Sequence, residues 1–237
     1  MEPQKLAMVI PTLHEAGNIR ELLDRLRRSA DPLGVPYELI VVDDDSQDGT
    51  EAIVGEMSSH DPRIRLLVRK GARGLAGAVI HGWQNTGASL LGVIDGDLQH
   101  PPELLPQMFE ALQTGADVVV ASRYVHNGSL AGWNAFRQVI SRMAIWMTRP
   151  LQKAGVRVSD PMSGFFLVRR RCVRDVCLNH QGFKILLDVL VRGNVRSVRE
   201  IPFVFGQRRA GSSKASVRVA FEYCVLLANL WRERRRA

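Results

Sequence analysis

Val93-Ile94-Asp95-Gly96-Asp97-Leu98-Gln99-His100-Pro101-Pro102-Glu103 is the stretch whose reading decides the fold. An apolar run ends in an Asp-x-Asp-x-Gln cluster, and a Pro-Pro step opens the next segment. A buried strand ending here would deliver both carboxylates to its carboxyl end, where open α/β sheets bind ligands. In extended geometry residues two apart share a face, so Asp95 and Asp97 are expected to point together and to share one divalent cation. Gln99 continues the alternation and adds a neutral oxygen ligand. Pro101 and Pro102 suit a helix start, where the missing amide costs nothing. For Asp-x-Asp alone, an acidic turn without a ligand is the competing reading.

Working outward, short apolar runs alternate with helical spacing. Leu6 to Pro11 reads as a first strand, followed by Ile19, Leu22, Leu23 and Leu26 at helical intervals. Glu38 to Val42 is a second strand that ends in Asp43-Asp44-Asp45-Ser46. Asp48-Gly49-Thr50 leads into a helix carrying Ile53, Val54 and Met57. Ile64 to Val68 is strand three, a glycine-punctuated helix (Gly74, Gly77, Gly82) follows, and Leu90 to Ile94 is strand four. Pro102 to Leu112 reads as helix and Asp117 to Ala121 as strand five. This alternation implies an α/β fold: a mainly parallel sheet covered by helices on both faces. No G-x-G-x-x-G or P-loop follows the first strand, which removes the fingerprints of the common dinucleotide and P-loop folds.

The second half differs in character. From Val118 to Ser159 there is no Asp or Glu, while Arg123, Arg137, Arg142, Arg149, Lys153 and Arg157 are all basic. Trp133, Phe136, Ile140, Met143, Ala144 and Met147 keep helical spacing, and Trp146 adds an amphipathic aromatic. An apolar stripe bordered by cations suits an interfacial helix on anionic lipid; a core-facing helix with a solvated basic side fits equally. Asp160-Pro-Met-Ser-Gly164 makes a turn before a strand at Phe165 to Val168, and Ile201 to Phe205 reads as a last strand. Gly206 to Ser216 is small and basic. From Val217 the chain repeats Phe221, Cys224, Leu227 and Trp231 at helical spacing, then ends in a basic tail.

With 237 residues, 46% of them hydrophobic, the chain can bury a sizeable core, and no linker or repeat divides it. Residues 1–215 are expected to form the main domain and 216–237 a basic amphipathic helix. The net charge of +8 points to an anionic partner. Cys172, Cys177 and Cys224 have neither metal nor redox spacing and read as reduced thiols. The N-terminus lacks signal-peptide regions, and no stretch approaches the roughly 18 apolar residues of a spanning helix. The chain as given is therefore expected not to cross a bilayer, which leaves contact with a membrane surface open.

Three acidic features fall at strand ends: Glu15, Asp43 to Asp45, and Asp95 with Asp97. Converging carboxylates repel, so a fold gathers them around a cation or a hydrogen-bonding ligand. An acid ending the second strand commonly accepts from a ribose or base. A nucleoside diphosphate with Mg²⁺ or Mn²⁺ would satisfy all three. Arg123, Lys184, Arg208, Arg209 and Lys214 supply the opposite charge, and Gly211-Ser-Ser makes a hinged lid over phosphate plausible on physical grounds.

Seven motifs then occur in order: Val9-Ile-Pro-Thr-Leu-His-Glu15, Val41-Val-Asp-Asp-Asp-Ser-Gln-Asp-Gly-Thr50, Asp95 to Glu103, Ala121-Ser-Arg-Tyr124, Asp160-Pro-Met-Ser-Gly-Phe165, Gly182-Phe-Lys-Ile-Leu186 and Arg208-x-x-Gly-x-Ser-Lys214. Together they resemble glycosyltransferase family 2, in its polyprenyl-phosphate (dolichol-phosphate) mannosyltransferase branch. The resemblance implies a GT-A fold that binds a nucleotide sugar. It implies donor contacts from Pro11, Leu13, Glu15, Val42, Asp44, Asp95, Gly96 and Asp97, with Mg²⁺ or Mn²⁺ held by Asp95, Asp97 and Gln99. Arg123, Lys184, Arg208 and Lys214 would address the lipid phosphate and the leaving diphosphate, and Asp97 and Arg123 would carry the catalysis. Leu13 replaces the family's usual tyrosine. Relatives often continue into transmembrane helices, which implies a naturally short form, a truncated one, or dependence on a small membrane-protein partner.

The implied reaction is inverting transfer of mannose from GDP-mannose to polyprenyl phosphate on the cytoplasmic face of a membrane, the chain being peripheral in the form given. Glucosyl or aminosugar transfer from a UDP-sugar is the alternative within the class. A nucleic-acid binder exploiting the +8 charge is disfavoured by 6% aromatic content and by carboxylates where phosphates would approach. A membrane scaffold without catalysis remains a third class. The Gln-x-x-Arg-Trp motif of processive polysaccharide synthases is not matched by Gln207-Arg208-Arg209.

Overall fold

A computed structural model describes residues 4–125, 143, 145–153, 155–179, 184–204 and 231–232. The chain alternates strand and helix through its first half: β1 (Leu6–Thr12), α1 (Ile19–Ala30), β2 (Tyr37–Asp43), α2 (Thr50–His60), β3 (Ile64–Val68), α3 (Leu75–Gln84) and β4 (Leu90–Val93). A 3₁₀ turn at Pro102–Leu104 then leads into α4 (Leu105–Gln113), followed by β5 (Val118–Ser122), β6 (Phe166–Arg169), α5 (Ile185–Arg192) and β7 (Val198–Pro202). The seven strands form one sheet in the order β3-β2-β1-β4-β6-β5-β7. Only β6 runs antiparallel, to β4 and β5 on either side of it.

Successive residues of each strand enter different cores, as period-two geometry demands when both faces are covered. Leu6, Met8 and Ile10 of β1 face Leu22, Leu23 and Leu26 of α1 together with Met108 and Leu112 of α4. Ala7 and Val9 face the other way, toward Val79 and Trp83 of α3 and Leu186 and Val189 of α5. Gly82 is what lets α3 lie this close, since a Cβ there would stand 2.7 Å from both Val9 methyls. The helix gives up roughly 1 kcal/mol of propensity for that approach.

Two elements depart from expectation. Helix α5 was not legible because Ile185-Leu-Leu-Asp-Val-Leu190 is a short, mostly apolar run, a length at which periodicity does not separate helix from strand. The last strand lies at Val198–Pro202 rather than Ile201–Phe205. Among the described residues it lies at the sheet edge and pairs only with β5, where charged Arg199 and Glu200 and the terminal Pro202 are tolerated. The expected boundary at 215/216, the loop 206–216 and most of the final segment lie outside the described residues.

Candidate active site

Strand β1 pairs with β2 on one side and β4 on the other, so the direction of the chain's progress across the sheet reverses between β1 and β4. A crevice opens outside the carboxyl ends of such strands. The first wall comes from the loops after β1 and β2. Pro11 pairs in register with Val42, and Thr12 with Asp43. Asp43 accepts from the Thr12 hydroxyl at 2.7 Å and from the amide and hydroxyl of Ser46 at 2.8 and 2.6 Å. The Ser46 hydroxyl also accepts the His14 amide at 2.9 Å, which ties the two loops together. Asp43 is thus a fastener, while its neighbour Asp44 turns toward α3. There it accepts the Gly74 amide at 2.8 Å and pairs with Arg69 at 2.9 Å. Burial raises the Asp44 carboxyl above its ordinary value, against the opposing pull of the Gly74 amide and the Arg69 charge.

The second wall is the Asp95-to-Glu103 loop. The expectation of an extended Asp95-x-Asp97-x-Gln99 run is corrected here: β4 ends at Val93, and Gly96 and Asp97 lie in a turn. Leu98 takes φ 61° and buries its side chain in the core, which breaks the period of two before Gln99. Asp97 is 7% exposed and its Oδ1 accepts the Gln99 amide at 3.1 Å. Gly96 lies against Glu15, whose Cγ would stand 3.2 Å from an added Cβ, so the two walls touch. Glu15 itself accepts from the Asn18 side chain at 2.9 Å. The sequence signal for Pro101 and Pro102 holds, because Pro102 starts the 3₁₀ turn that precedes α4.

Beside these carboxylates lies a set of charges from the second half. Arg123, just past β5, meets Asp160 through Nε and Nη2 at 2.7 Å each, and its amide reaches the same carboxylate at 3.2 Å. Asp160 is wholly buried and the Arg123 side chain nearly so. Burial pulls the guanidinium down, but the Asp160 hydrogen bonds and charge outweigh it and leave Arg123 above its ordinary value. Lys184, at the start of α5, has its ammonium lowered by burial and by Arg123, and is partly sustained by Asp95 and Asp160. His100 packs against Phe165 and Phe203 with its Nδ1 3.9 Å from Asp95 Oδ2. Burial, with Arg123 and Lys184 nearby, drives the imidazole down to about 3, so it stays neutral beside the carboxylate.

The sequence places Asp160 and Gly164 in a turn and in one of the seven motifs without giving either a role, and gives none to His100. Their signal was adjacency to Arg123 and Asp95, which exists in space and not along the chain. Arg208 and Lys214 lie outside the described residues.

Among the described residues no three His, Cys, Asp or Glu side chains close on one point. A divalent cation here would therefore rest on Asp95, Asp97 and the Gln99 amide oxygen, completed by ligand oxygens. Those are hard oxygen donors of the kind Mg²⁺ and Mn²⁺ take. The backbone makes room for the set, since Gly164 presents no side chain toward Asp95. The residues fit the group.

Next to Arg123, a cavity of about 460 Å³ is lined by Tyr124, Ile145, Trp146, Arg149, Val158 and Ser159, with Met143 at its edge. Met143, Trp146 and Met147 are 61%, 68% and 42% exposed, so this part of the expected apolar stripe faces outward while Ile145 is buried. A second cavity, of about 340 Å³, is lined by Trp83, Leu91, Arg170, Arg174 and Cys177 among others and has no carboxylate on its described wall. No helix among the described residues is long and apolar enough to cross a membrane.

Comparison with known proteins adds the following. The family model described as Glycosyl transferase family 2 matches residues 7–177. A dolichol-phosphate mannosyltransferase of Pyrococcus furiosus is 40% identical over 219 residues, covering 92% of this chain. The chain spans 61% of that relative's length. Among solved structures, mannosyl-3-phosphoglycerate synthase from Rubrobacter xylanophilus superposes with a TM-score of 0.73 at 19% identity, over 99% of this chain and 76% of that one. A mannosyltransferase from Pyrobaculum calidifontis, in complex with GDP-Man and Mn²⁺, gives 0.64 at 16% identity over 98% and 64%. At such identities the likeness concerns the fold alone, which is the GT-A type expected from the motifs.

Proposed function

The chain belongs to glycosyltransferase family 2, and from that premise we propose that it moves mannose from GDP-mannose onto the phosphate of a polyprenyl (dolichyl) phosphate, with inversion at the anomeric carbon. One observation carries the reading. Asp95, in a loop that also carries Asp97, lies within the field of the largely buried Arg123 and of Lys184, beside a cavity that opens to exposed Trp and Met side chains. The 40%-identical relative, a dolichol-phosphate mannosyltransferase, supports the same acceptor and sugar.

In this reading Pro11, Leu13, Glu15, Val42 and Asp44 hold the nucleoside between the first two loops, with Asp44 kept in place by Gly74 and Arg69. Asp95, Gly96 and Asp97 face the diphosphate, and Asp95, Asp97 and Gln99 hold Mg²⁺ or Mn²⁺. The structure of a mannosyltransferase with GDP-Man and Mn²⁺ on a similar fold is consistent with that choice. Once bound, the cation offsets charge on the departing diphosphate. The acceptor needs little help from a base. A phosphate monoester has its second pKa near 6 and is mostly dianionic at neutral pH. The protein's task is to bring two repelling anions together in line. Lys184 and Arg123 do this from the second half, joined by Arg208 and Lys214. The Asp160 ion pair aims Arg123 and holds it charged.

The prenyl chain occupies the cavity beside Tyr124 and Trp146, and Met143, Trp146 and Met147 meet anionic lipid on the cytoplasmic face of a membrane. The chain is peripheral there, and a small membrane-protein partner could complete its anchoring. The deciding experiment is incubation with labelled GDP- and UDP-sugars, Mg²⁺ or Mn²⁺, and short polyprenyl phosphates. Mannose transfer from GDP-mannose is expected. Transfer from a UDP-sugar instead would replace the donor assignment, and no transfer from any sugar nucleotide would end the reading.

A further inference from the structure

The segment from Ser159 to Gly164 is fastened at both ends. At one end the Ser159 and Asp160 amides donate to the two carboxylate oxygens of Glu200 on β7, at 2.9 and 3.2 Å. Asp160 there receives Arg123 in the bidentate pair already described. At the other end the Gly164 carbonyl accepts the Asp95 amide at 3.1 Å. This short turn is therefore the physical link between the buried cation and one of the two carboxylates.

Gly164 leaves no space for a side chain. A Cβ built on it would stand 2.7 Å from Asp95 Oδ1 and closer still to Oδ2 and Cγ, whereas real Cβ atoms essentially never come within 3.0 Å of such neighbours. Its φ is not among the positive values, so the backbone does not ask for glycine. The Asp95 carboxylate does. A methyl group here can be accommodated in two ways. Asp95 can rotate out of its place, or the turn can withdraw and take Asp160 and Arg123 with it. Either movement changes the spacing of carboxylate and cation.

We infer that Gly164 is a positioning residue whose bare Cα sets the Asp95 carboxylate in its cation-holding orientation, and that the Glu200-fastened turn keeps that orientation in register with Arg123. The inference rests on the proposed reading of Asp95 as a metal ligand. Altering residues that orient a metal ligand from behind typically costs about 10–100-fold in metal affinity.

The test is Mn²⁺ binding in the presence of GDP, read from the free-Mn²⁺ paramagnetic resonance signal. It would compare the wild-type chain with Gly164→Ala and Glu200→Gln. Gly164→Ala is expected to weaken Mn²⁺ binding by at least about tenfold. Glu200→Gln loosens the other end, so it is expected to raise KM for polyprenyl phosphate severalfold and leave Mn²⁺ affinity unchanged. If Gly164→Ala destabilises the fold, the contact predicts relief by Asp95→Ala. The double variant should then melt with Asp95→Ala alone, and an equal loss from Gly164→Ala in both backgrounds would overturn the inference. Wild-type binding with no loss in a folded Gly164→Ala would overturn it too, leaving the metal reading intact. No Mn²⁺ binding by the wild-type chain would overturn both.

Discussion

The two ends of the sheet both carry buried carboxylates, and they use them in opposite ways. At the amino ends of the parallel strands, Glu38 is met by Lys5 at 3.0 Å, by Arg65 at 2.7 Å and by the Thr86 hydroxyl. Asp117, just before β5, receives Arg171 at 2.8 Å and the amides of Arg196 and Ser197. Each of these acids is matched by donors from neighbouring loops. At the carboxyl ends, Asp95 and Asp160 lie within the field of Arg123 and Lys184. The backbone there is also bent into costly shapes. Every positive-φ residue other than glycine among the described ones lies there: His14 after β1, Asp45 and Gln47 after β2, and Leu98 after β4. Such residues cost of order 1–3 kcal/mol each and concentrate where structure serves a ligand. One end is built for stability, and the other spends some of it on shape.

Substitutions should separate the two ends cleanly. The largest effect on turnover is expected from Asp97→Ala. Loss of several kcal/mol of charge stabilisation corresponds to a fall in kcat/KM of about 10³-fold or more. Its melting temperature should stay near that of the wild type, and unchanged turnover would remove Asp97 from the site. Asp160→Ala should damage both properties, because it leaves Arg123 buried without its carboxylate. Breaking one side of such a pair costs about 3–5 kcal/mol. At roughly 2–4 °C per kcal/mol for a chain of this size, scanning calorimetry should register the loss readily.

Glu38→Gln is the reciprocal case. Its cation partners are more than a third exposed, which limits the expected loss to about 1–2 kcal/mol, with kcat/KM unaltered. A change in turnover would break the division between the ends. The smallest effect is in acid. Burial pushes Glu38 up, but hydrogen bonds from Thr86, Arg65 and Lys5 outweigh it and hold the carboxyl below its ordinary value. Asp117 follows the same balance, with Arg171 and two amides prevailing over burial. A depressed folded pKa adds stability that is complete above the unfolded value and fades as pH falls through the folded one. Urea midpoints should therefore hold through neutral pH and decline below about pH 4. Glu38→Gln should make that decline shallower, and an identical slope would contradict the assignment.

The first half was legible because its signals are local. Strands β1 to β4 are short apolar runs between helices with a polar face, and the parallel sheet follows from their alternation. The site was legible in its types of residue more than in its geometry. Asp95, Arg123 and Lys184 do come together, but Leu98 in the left-handed region turns the loop where extended alternation was expected. Asp43 looked like a ligand and is a fastener between loops. Helix α5 escaped notice because its apolar run is short enough to read as strand or helix. The Arg123–Asp160 pair spans |i−j| = 37, a relation fixed by the antiparallel insertion of β6 between β4 and β5. Nothing local announces it.

The central claim is that the carboxyl end seats a cation which a sugar nucleotide and a lipid phosphate then share. Its most direct test is the initial rate of mannose transfer from GDP-mannose to a short polyprenyl phosphate, measured with Mn²⁺, after chelation, and after Mn²⁺ is restored. The account predicts product with the metal, none after chelation, and recovery on its return. Transfer at an undiminished rate in chelator would contradict it.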